Sequence, residues 1–367
     1  MAVKIIRAPK KITLVGSSTS AAGLRGGQER APAALRSAGL ADRLKTAGFT
    51  VADLGDTSVQ VNQPDDDHPR ARNVQPILKS LKDLRPMVEV AVKSGALPLI
   101  LSGDSISVLA TIAGIRRYFR DVTLVYMDRD AALNFPATSA SGFIDGMVLS
   151  HVIGRGAPEL VRFWGEPPLV RESDVVLFGF ERLDPPEQQY LSSSLFRSYP
   201  AQTIKSQGSA AAAQKVLDRI QGGKHQFILH VDLDVIDSDL FPPVNLPGRG
   251  GLSLDQVREA LKVFVGHPNL LAVDVAGYNP ELDPSGEGAR LIVDLLADVL
   301  GSRLETGAEE GSSTAEAAIA QAGATTAIAS PVQPPGSAVD EAGHQASSPT
   351  EIEPESPGPS GSDSIPI

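Results

Sequence analysis

The sequence predicts an α/β fold: a parallel sheet covered by helices on both faces. Two observations predict it. Short β-branched or apolar runs alternate with longer segments of helical pattern, and the spacing leaves room for a crossover helix between successive strands.

Taken in order, Ile12–Gly16 reads as the first strand because it is short, apolar and bounded by polar or small residues. Helical pattern over Ala31–Ala47 leads to a strand at Phe49–Leu54, and Val74–Ser94 leads to Leu97–Leu101. Ile106–Phe119 precedes the strand Val122–Met127, and Val175–Gly179 reads as a further strand. Ala210–Ile220 precedes Phe227–Asp232, Ser253–Phe264 precedes Leu270–Val275, and a helix over Ala289–Leu304 closes the series. Beyond it, residues 305–367 are rich in Ala, Ser, Gly, Pro and Glu, a composition that buries too little apolar area to offset its ordering entropy. The expected organisation is one domain over 1–304 and a disordered acidic tail over 305–367.

The formal net charge of −11 belongs mostly to that tail, which holds 10 acidic and no basic residues. The first 304 residues carry 33 basic and 34 acidic groups, so the body offers no basic footprint for nucleic acid. No Lys/Arg-rich amphipathic stretch suggests a membrane surface, and no run of 18 apolar residues suggests a span. The start, Met1-Ala-Val-Lys-Ile-Ile-Arg, lacks an apolar signal core, so a cytoplasmic protein is expected. With no cysteine, the chain has no disulfide, zinc-thiolate site or thiol nucleophile. Gly23-Leu-Arg-Gly-Gly27 lacks both the Lys-Ser/Thr of a P-loop and dinucleotide-fingerprint spacing, and reads as a tight turn.

Three expected strands end in acidic motifs: Ser102-Gly-Asp104-Ser105, Met127-Asp128-Arg129-Asp130 and His230-Val-Asp232-Leu-Asp234. The C-terminal edge of an open parallel sheet is its ligand-binding edge, so these motifs can converge. Residues i and i+2 of an extended chain share a face, which pairs Asp232 with Asp234 and Asp128 with Asp130. Four converging carboxylates need a cation, a basic side chain or a shared proton. A lone Asp-x-Asp is more often a turn or cap than a ligand; two such pairs together strengthen the metal reading.

These motifs resemble those of the arginase and agmatinase (ureohydrolase) family. Arg25-Gly-Gly-Gln-Glu-Arg-Ala-Pro resembles its N-terminal glycine-rich turn. Val231-Asp-Leu-Asp-Val-Ile-Asp237, with Pro242 and Leu246-Pro-Gly-Arg-Gly-Gly-Leu-Ser253, resembles its most diagnostic segment, and Tyr278-Asn-Pro280 its last active-site strand. The likeness spans about residues 10–300. It implies a three-layer α/β/α sandwich with a doubly wound, mainly parallel sheet, and hydrolysis of guanidino groups at a two-manganese centre.

The same resemblance exposes departures. Ser105 stands where the family has its first His ligand, Asp130 where it has a second His, and Ala132 where it has an Asp; Asp128, Asp232 and Asp234 match. Two manganese ions are therefore not expected, and one divalent cation (Mn, Mg or Ca) is expected on Asp128, Asp130, Asp232 and Asp234. Asp145 occupies the position of a family His, and Gly277 that of the guanidinium-binding Glu. Asn134, Ser141 and Asp184 match positions around the amino-acid end of the substrate, although they are also ordinary turn formers. His230 is expected to be a hydrogen-bonded core histidine. Arg129 neutralises the acidic cluster if its loop bends inward, and otherwise faces solvent.

The leading expectation is a pseudoenzyme that keeps the fold for binding, regulation or assembly, with a small guanidino or amino-acid ligand and a homo-oligomeric state. The competing expectation is a hydrolase of linear amidines using a single cation, with Asp145 as the catalytic proton-transfer group.

Overall fold

The computed structural model describes residues 8–221 and 226–304; the acidic tail expected from residue 305 lies outside them. Eight parallel strands form one sheet: β1 (Lys11–Ser17), β2 (Thr50–Asp56), β3 (Leu97–Ser102), β4 (Val122–Met127), β5 (Val175–Phe178), β6 (Arg197–Tyr199), β7 (Gln226–Asp232) and β8 (Leu270–Ala276). Their spatial order is β2-β1-β3-β8-β7-β4-β5-β6.

Alternate side chains on each central strand enter different cores, as the two-residue repeat of a strand requires. Leu99 and Leu101, Val125 and Met127, and Leu229 and Val231 pack on one face with the helices Ala31–Ser37, Leu40–Thr46, Ser209–Gln221 and Leu254–Gly266 and a final helix over residues 287–304. Ile100, Leu124 and Ile228 pack on the other face with the helices Val74–Lys93 and Val108–Arg116. Helices on both faces explain why the central strands read as unbroken apolar runs. The three-layer architecture expected from the sequence is the one observed, and among the described residues every strand pairing in the sheet is parallel.

Two local expectations differ from the structure. The helix expected over Ala31–Ala47 is split, because Gly39 adopts a left-handed φ of 89° that no helix interior accommodates. The strand β6 and the helix Ala201–Gln207 carry no apolar run long enough to announce them, and escaped the pattern reading.

The order of strands fixes where a ligand can sit. From β4 the chain continues outward to β5 and β6, whereas from β7 it turns back to β8. The adjacent β4 and β7 therefore feed connections in opposite directions, leaving a crevice at their C-terminal ends. Both Asp-x-Asp motifs emerge there.

Candidate metal and ligand site

Register brings the site together. Tyr126 on β4 pairs with His230 on β7, so Asp128 and Asp232, each two residues further on, rise from the same face. A cavity of about 270 Å³ opens above them. Asp128, Asp130, Asp232 and Asp234 all line it, as do Asp145, Asn134, Ser141, Asp184 and Arg182.

The acidic residues are knitted into their loops by backbone donors. The Asp130 N–H donates to Asp128 Oδ1 at 2.7 Å and the Asp234 N–H to Asp232 Oδ1 at 2.9 Å, so each Asp-x-Asp pair closes a small turn at its strand end. Burial pushes the Asp128 and Asp234 carboxyls well above the ordinary range, and the neighbouring carboxylates push in the same direction. Asp145 is raised well above its usual value by burial and then by Asp104 and Asp232; its Oδ1 accepts from the Ser105 N–H at 3.0 Å. Such a cluster holds its charge only with protons, basic partners or a cation.

Basic partners are present. Arg129 bends inward: its side chain is only 6 % exposed, its Nη2 donates to the Leu246 carbonyl at 2.8 Å and lies 3.8 Å from Asp130 Oδ1, and its N–H donates to Asp234 Oδ1 at 3.3 Å. Arg182 Nη1 donates to Asp130 Oδ2 at 3.3 Å from the cavity side. Burial raises the Asp130 carboxyl, and these two guanidinium groups oppose that rise.

Asn134 and Asp184 hold each other through Asn134 Nδ2 and Asp184 Oδ2 at 2.9 Å, and Asp184 precedes the helix Pro185–Ser193. Glu187 in that helix accepts from the N–H groups of Leu133 and Asn134 through Oε1 and from that of Asp184 through Oε2. The sequence reading missed this buried glutamate; its signal was the Asp-x-x-Glu spacing of a capping box. Ser141 Oγ accepts from the Phe143 N–H at 3.3 Å, as a turn residue does. Ala132 lies in the left-handed region at φ 50°, an uncommon conformation for a residue with a Cβ.

Beneath the carboxylates lies a second polar layer. Ser105 Oγ is 2.5 Å from Asp232 Oδ2 and 3.1 Å from His230 Nε2. His230 is fully buried, stacked on Tyr126 with ring centroids 4.7 Å apart, and its Nδ1 faces Asp274 Oδ1 at 3.4 Å. The histidine is hydrogen-bonded inside the protein, as expected. It is also one of three residues, with Asp128 and Asp232, whose donor atoms lie within 4.8 Å of one another.

Comparison with known proteins decides the family. The Arginase family profile matches residues 10–301. This chain belongs to the arginase family. The arginase of Bacillus subtilis strain 168 is 29 % identical over 297 residues, covering 80 % of this chain and 99 % of that one. The Xenopus laevis protein named arginase, non-hepatic 2, is 30 % identical over 315 residues, covering 82 % and 86 %. The crystal structure of Bacillus cereus arginase superposes with a TM-score of 0.73 at 26 % identity, covering 80 % and 98 %. A B. subtilis formimidoylglutamase shares the fold at TM-score 0.65 and 19 % identity, covering 80 % and 87 %. Among the described residues no helix of this arginase-family chain is long and apolar enough to cross a membrane.

Proposed function

We propose that this arginase-family chain has lost two-manganese hydrolysis and uses its cavity to bind a small polar ligand together with one divalent cation. The observation that carries this reading is the pair of arginines on Asp130, Arg182 at 3.3 Å and Arg129 at 3.8 Å. They supply fixed positive charge beside the acidic cluster, where a second metal ion would otherwise supply it.

The donor set fits one cation better than two. Ser105 offers no imidazole and Ala132 no carboxylate, while Asp128, Asp130, Asp232 and Asp234 offer oxygen donors around one cavity. Gly277 also brings no carboxylate to a guanidinium group. Asn134, Ser141 and Asp184 remain at the cavity wall for the polar end of an amino-acid-like ligand. A structurally similar arginase, from Entamoeba histolytica, was solved in complex with L-ornithine, which supports a ligand of that class.

A second reading is favoured by Asp145, whose raised carboxyl faces the cavity. A carboxyl whose pKa is raised by burial holds a proton more readily and can hand it to a leaving nitrogen. A bound cation would supply Lewis-acid polarisation of the substrate and acidify water. In that case the chain is a divergent hydrolase of linear amidines working with a single cation.

The test is turnover of arginine and agmatine by the unmodified chain with excess manganese, alongside its metal content. The leading reading expects far less than about 1 turnover per second, and an ordinary enzymatic rate overturns it. Hydrolysis of another linear amidine that disappears in Asp145→Asn selects the second reading.

A further inference from the structure

The candidate donors of this site are not all carboxylates. Asp128, His230 and Asp232 are each buried, and one donor atom from each lies within 4.8 Å of the other two. His230 and Asp232 belong to β7, and Asp128 directly follows β4, so strand register rather than a loop sets their spacing. We propose that the cation of this cavity is bound at its floor by Asp128 and Asp232, which line it, and by His230, which lies buried beneath them, as a mixed nitrogen–oxygen site that selects a first-row transition ion over magnesium or calcium. The inference rests on the cation-binding reading above and fixes its donors and its class of ion.

Asp274 stands where the carboxylate partner of a metal-binding imidazole would stand. Its Oδ1 lies 3.4 Å from His230 Nδ1 without completing a hydrogen bond, and it is itself held by Ser102 Oγ at 2.9 Å and Thr111 Oγ1 at 2.6 Å. A carboxylate on one ring nitrogen favours hydrogen there and leaves the other lone pair free, the arrangement that supports most metal-binding histidines. Here the other nitrogen, Nε2, faces Ser105 Oγ, whose hydroxyl hydrogen goes to Asp232 Oδ2, so Nε2 donates in this contact and would have to give up that hydrogen to bind an ion. Stacking on Tyr126 fixes the ring plane.

A second observation concerns a hydroxyl beside the cluster. The Tyr126 hydroxyl is fully buried next to Asp128, without a hydrogen bond of ordinary geometry to it or to another described residue. Buried hydroxyl groups rarely go without a partner, and a water on the cation's coordination shell provides one.

The remaining carboxylates are engaged elsewhere. Asp130 is drawn towards Arg182 and Arg129, and Asp234 Oδ1 accepts from the Arg129 N–H. Ser105 accounts for the unusual origin of the nitrogen. Its Oγ already lies 3.1 Å from Nε2, so an imidazole at position 105 pointing the same way would overlap that of His230. In this chain the imidazole stands on β7 and a hydroxyl follows β3. Binding of an ion by Asp232 Oδ2 would require the Ser105 hydroxyl, now 2.5 Å from it, to turn away. Nitrogen from imidazole favours ions of the manganese-to-zinc series, whereas magnesium and calcium prefer oxygen alone.

The experiment is a titration of the full chain with Mn2+, read by calorimetry and by electron-spin-echo modulation from ligand nitrogen. The expected result is one ion per chain with imidazole nitrogen modulation, which changes to the 15N pattern after labelling histidine with 15N. That readout needs no variant, so the burial of His230 does not compromise it. His230→Gln is expected to lose the modulation and to weaken binding at least about tenfold, and a roughly hundredfold excess of Mg2+ should leave the ion in place. Mn2+ bound without nitrogen modulation, or displaced by Mg2+, overturns this inference while leaving the single-cation reading intact. No binding at all overturns both.

Discussion

His230 and Asp274 are register partners on adjacent parallel strands, and Nδ1 of the first stands 3.4 Å from Oδ1 of the second, both side chains fully buried. The pair is held by two hydroxyl donors, Ser102 on β3 and Thr111 in the helix Val108–Arg116. Thr111→Val removes the 2.6 Å donor to Asp274 Oδ2 while keeping the side-chain shape. An unsatisfied buried carboxylate oxygen should cost about 1–3 kcal/mol in urea unfolding. An unchanged midpoint would show that Asp274 is satisfied without Thr111.

Gly277 faces Asp232 across a gap with no room for a side chain. Its φ is 91°, and a Cβ placed on it would lie 2.0 Å from Asp232 Oδ1. Gly277→Ala is expected to cost about 1–3 kcal/mol, from left-handed strain and from moving a carboxylate that accepts from the Asp234 N–H. Cation affinity should fall with it. The same geometry means that a glutamate at this position cannot be restored by one substitution. A neutral Gly277→Ala variant would show that Asp232 swings aside freely.

Much of this was legible in the sequence, because alternating apolar runs and helical segments encode a parallel sheet locally. The Asp-x-Asp pairs at the ends of β4 and β7 were legible for the same reason, since the i, i+2 rule needs only one strand. What His230 touches was not. Its contacts with Tyr126, Asp274 and Ser105 depend on how three other segments, distant in sequence, come to lie beside it. Seen alone, His230 offers only its i, i+2 spacing to Asp232, which suits a core histidine equally well. The inward turn of Arg129 was equally hidden, because it depends on the Leu246 carbonyl far along the chain.

His151 gives an acid-sensitive contribution to stability. Burial pushes its pKa down to about 4; Nδ1 donates to the Met147 carbonyl and Nε2 accepts from the Ala157 N–H. The unfolded chain protonates near 6.5 whereas the folded chain resists, so this contribution is full above pH 6.5 and is lost as the pH falls towards 4. The loss amounts to about 3 kcal/mol. Asp104, raised by burial to about 7, acts with the opposite sign, stabilising the fold as the pH falls below 7. The stability gap between the unmodified chain and His151→Gln isolates the histidine, and should shrink by that amount between pH 7 and pH 4. A gap independent of pH would reject the assignment.

Arg129 should be worth more at neutral pH than at acid pH, because its partners are carboxylates. Its guanidinium lies 3.8 Å from Asp130 and 3.7 Å from Glu181, and its backbone N–H donates to Asp234. Arg129→Met keeps the apolar stem and removes the charge. Breaking a fully buried ion pair costs about 3–5 kcal/mol, but these contacts are long and Glu181 is 43 % exposed, so about 1–2 kcal/mol is expected at pH 7. Without Arg129 the folded-state pKa values of Asp130 and Asp234 rise further, since Arg129 opposes the rise in both. The destabilisation is therefore full above those raised values and fades as the pH falls and the carboxyls take up protons. Asp130→Asn added to Arg129→Met should recover part of the loss, because the amide needs no cation beside it. If Arg129 serves only to pack against Leu246 and Gly248, the loss will be the same at every pH and Asp130→Asn will recover nothing. Unfolding curves of the two variants and the unmodified chain at pH 7 and pH 5 separate a charge-balancing arginine from a packing one.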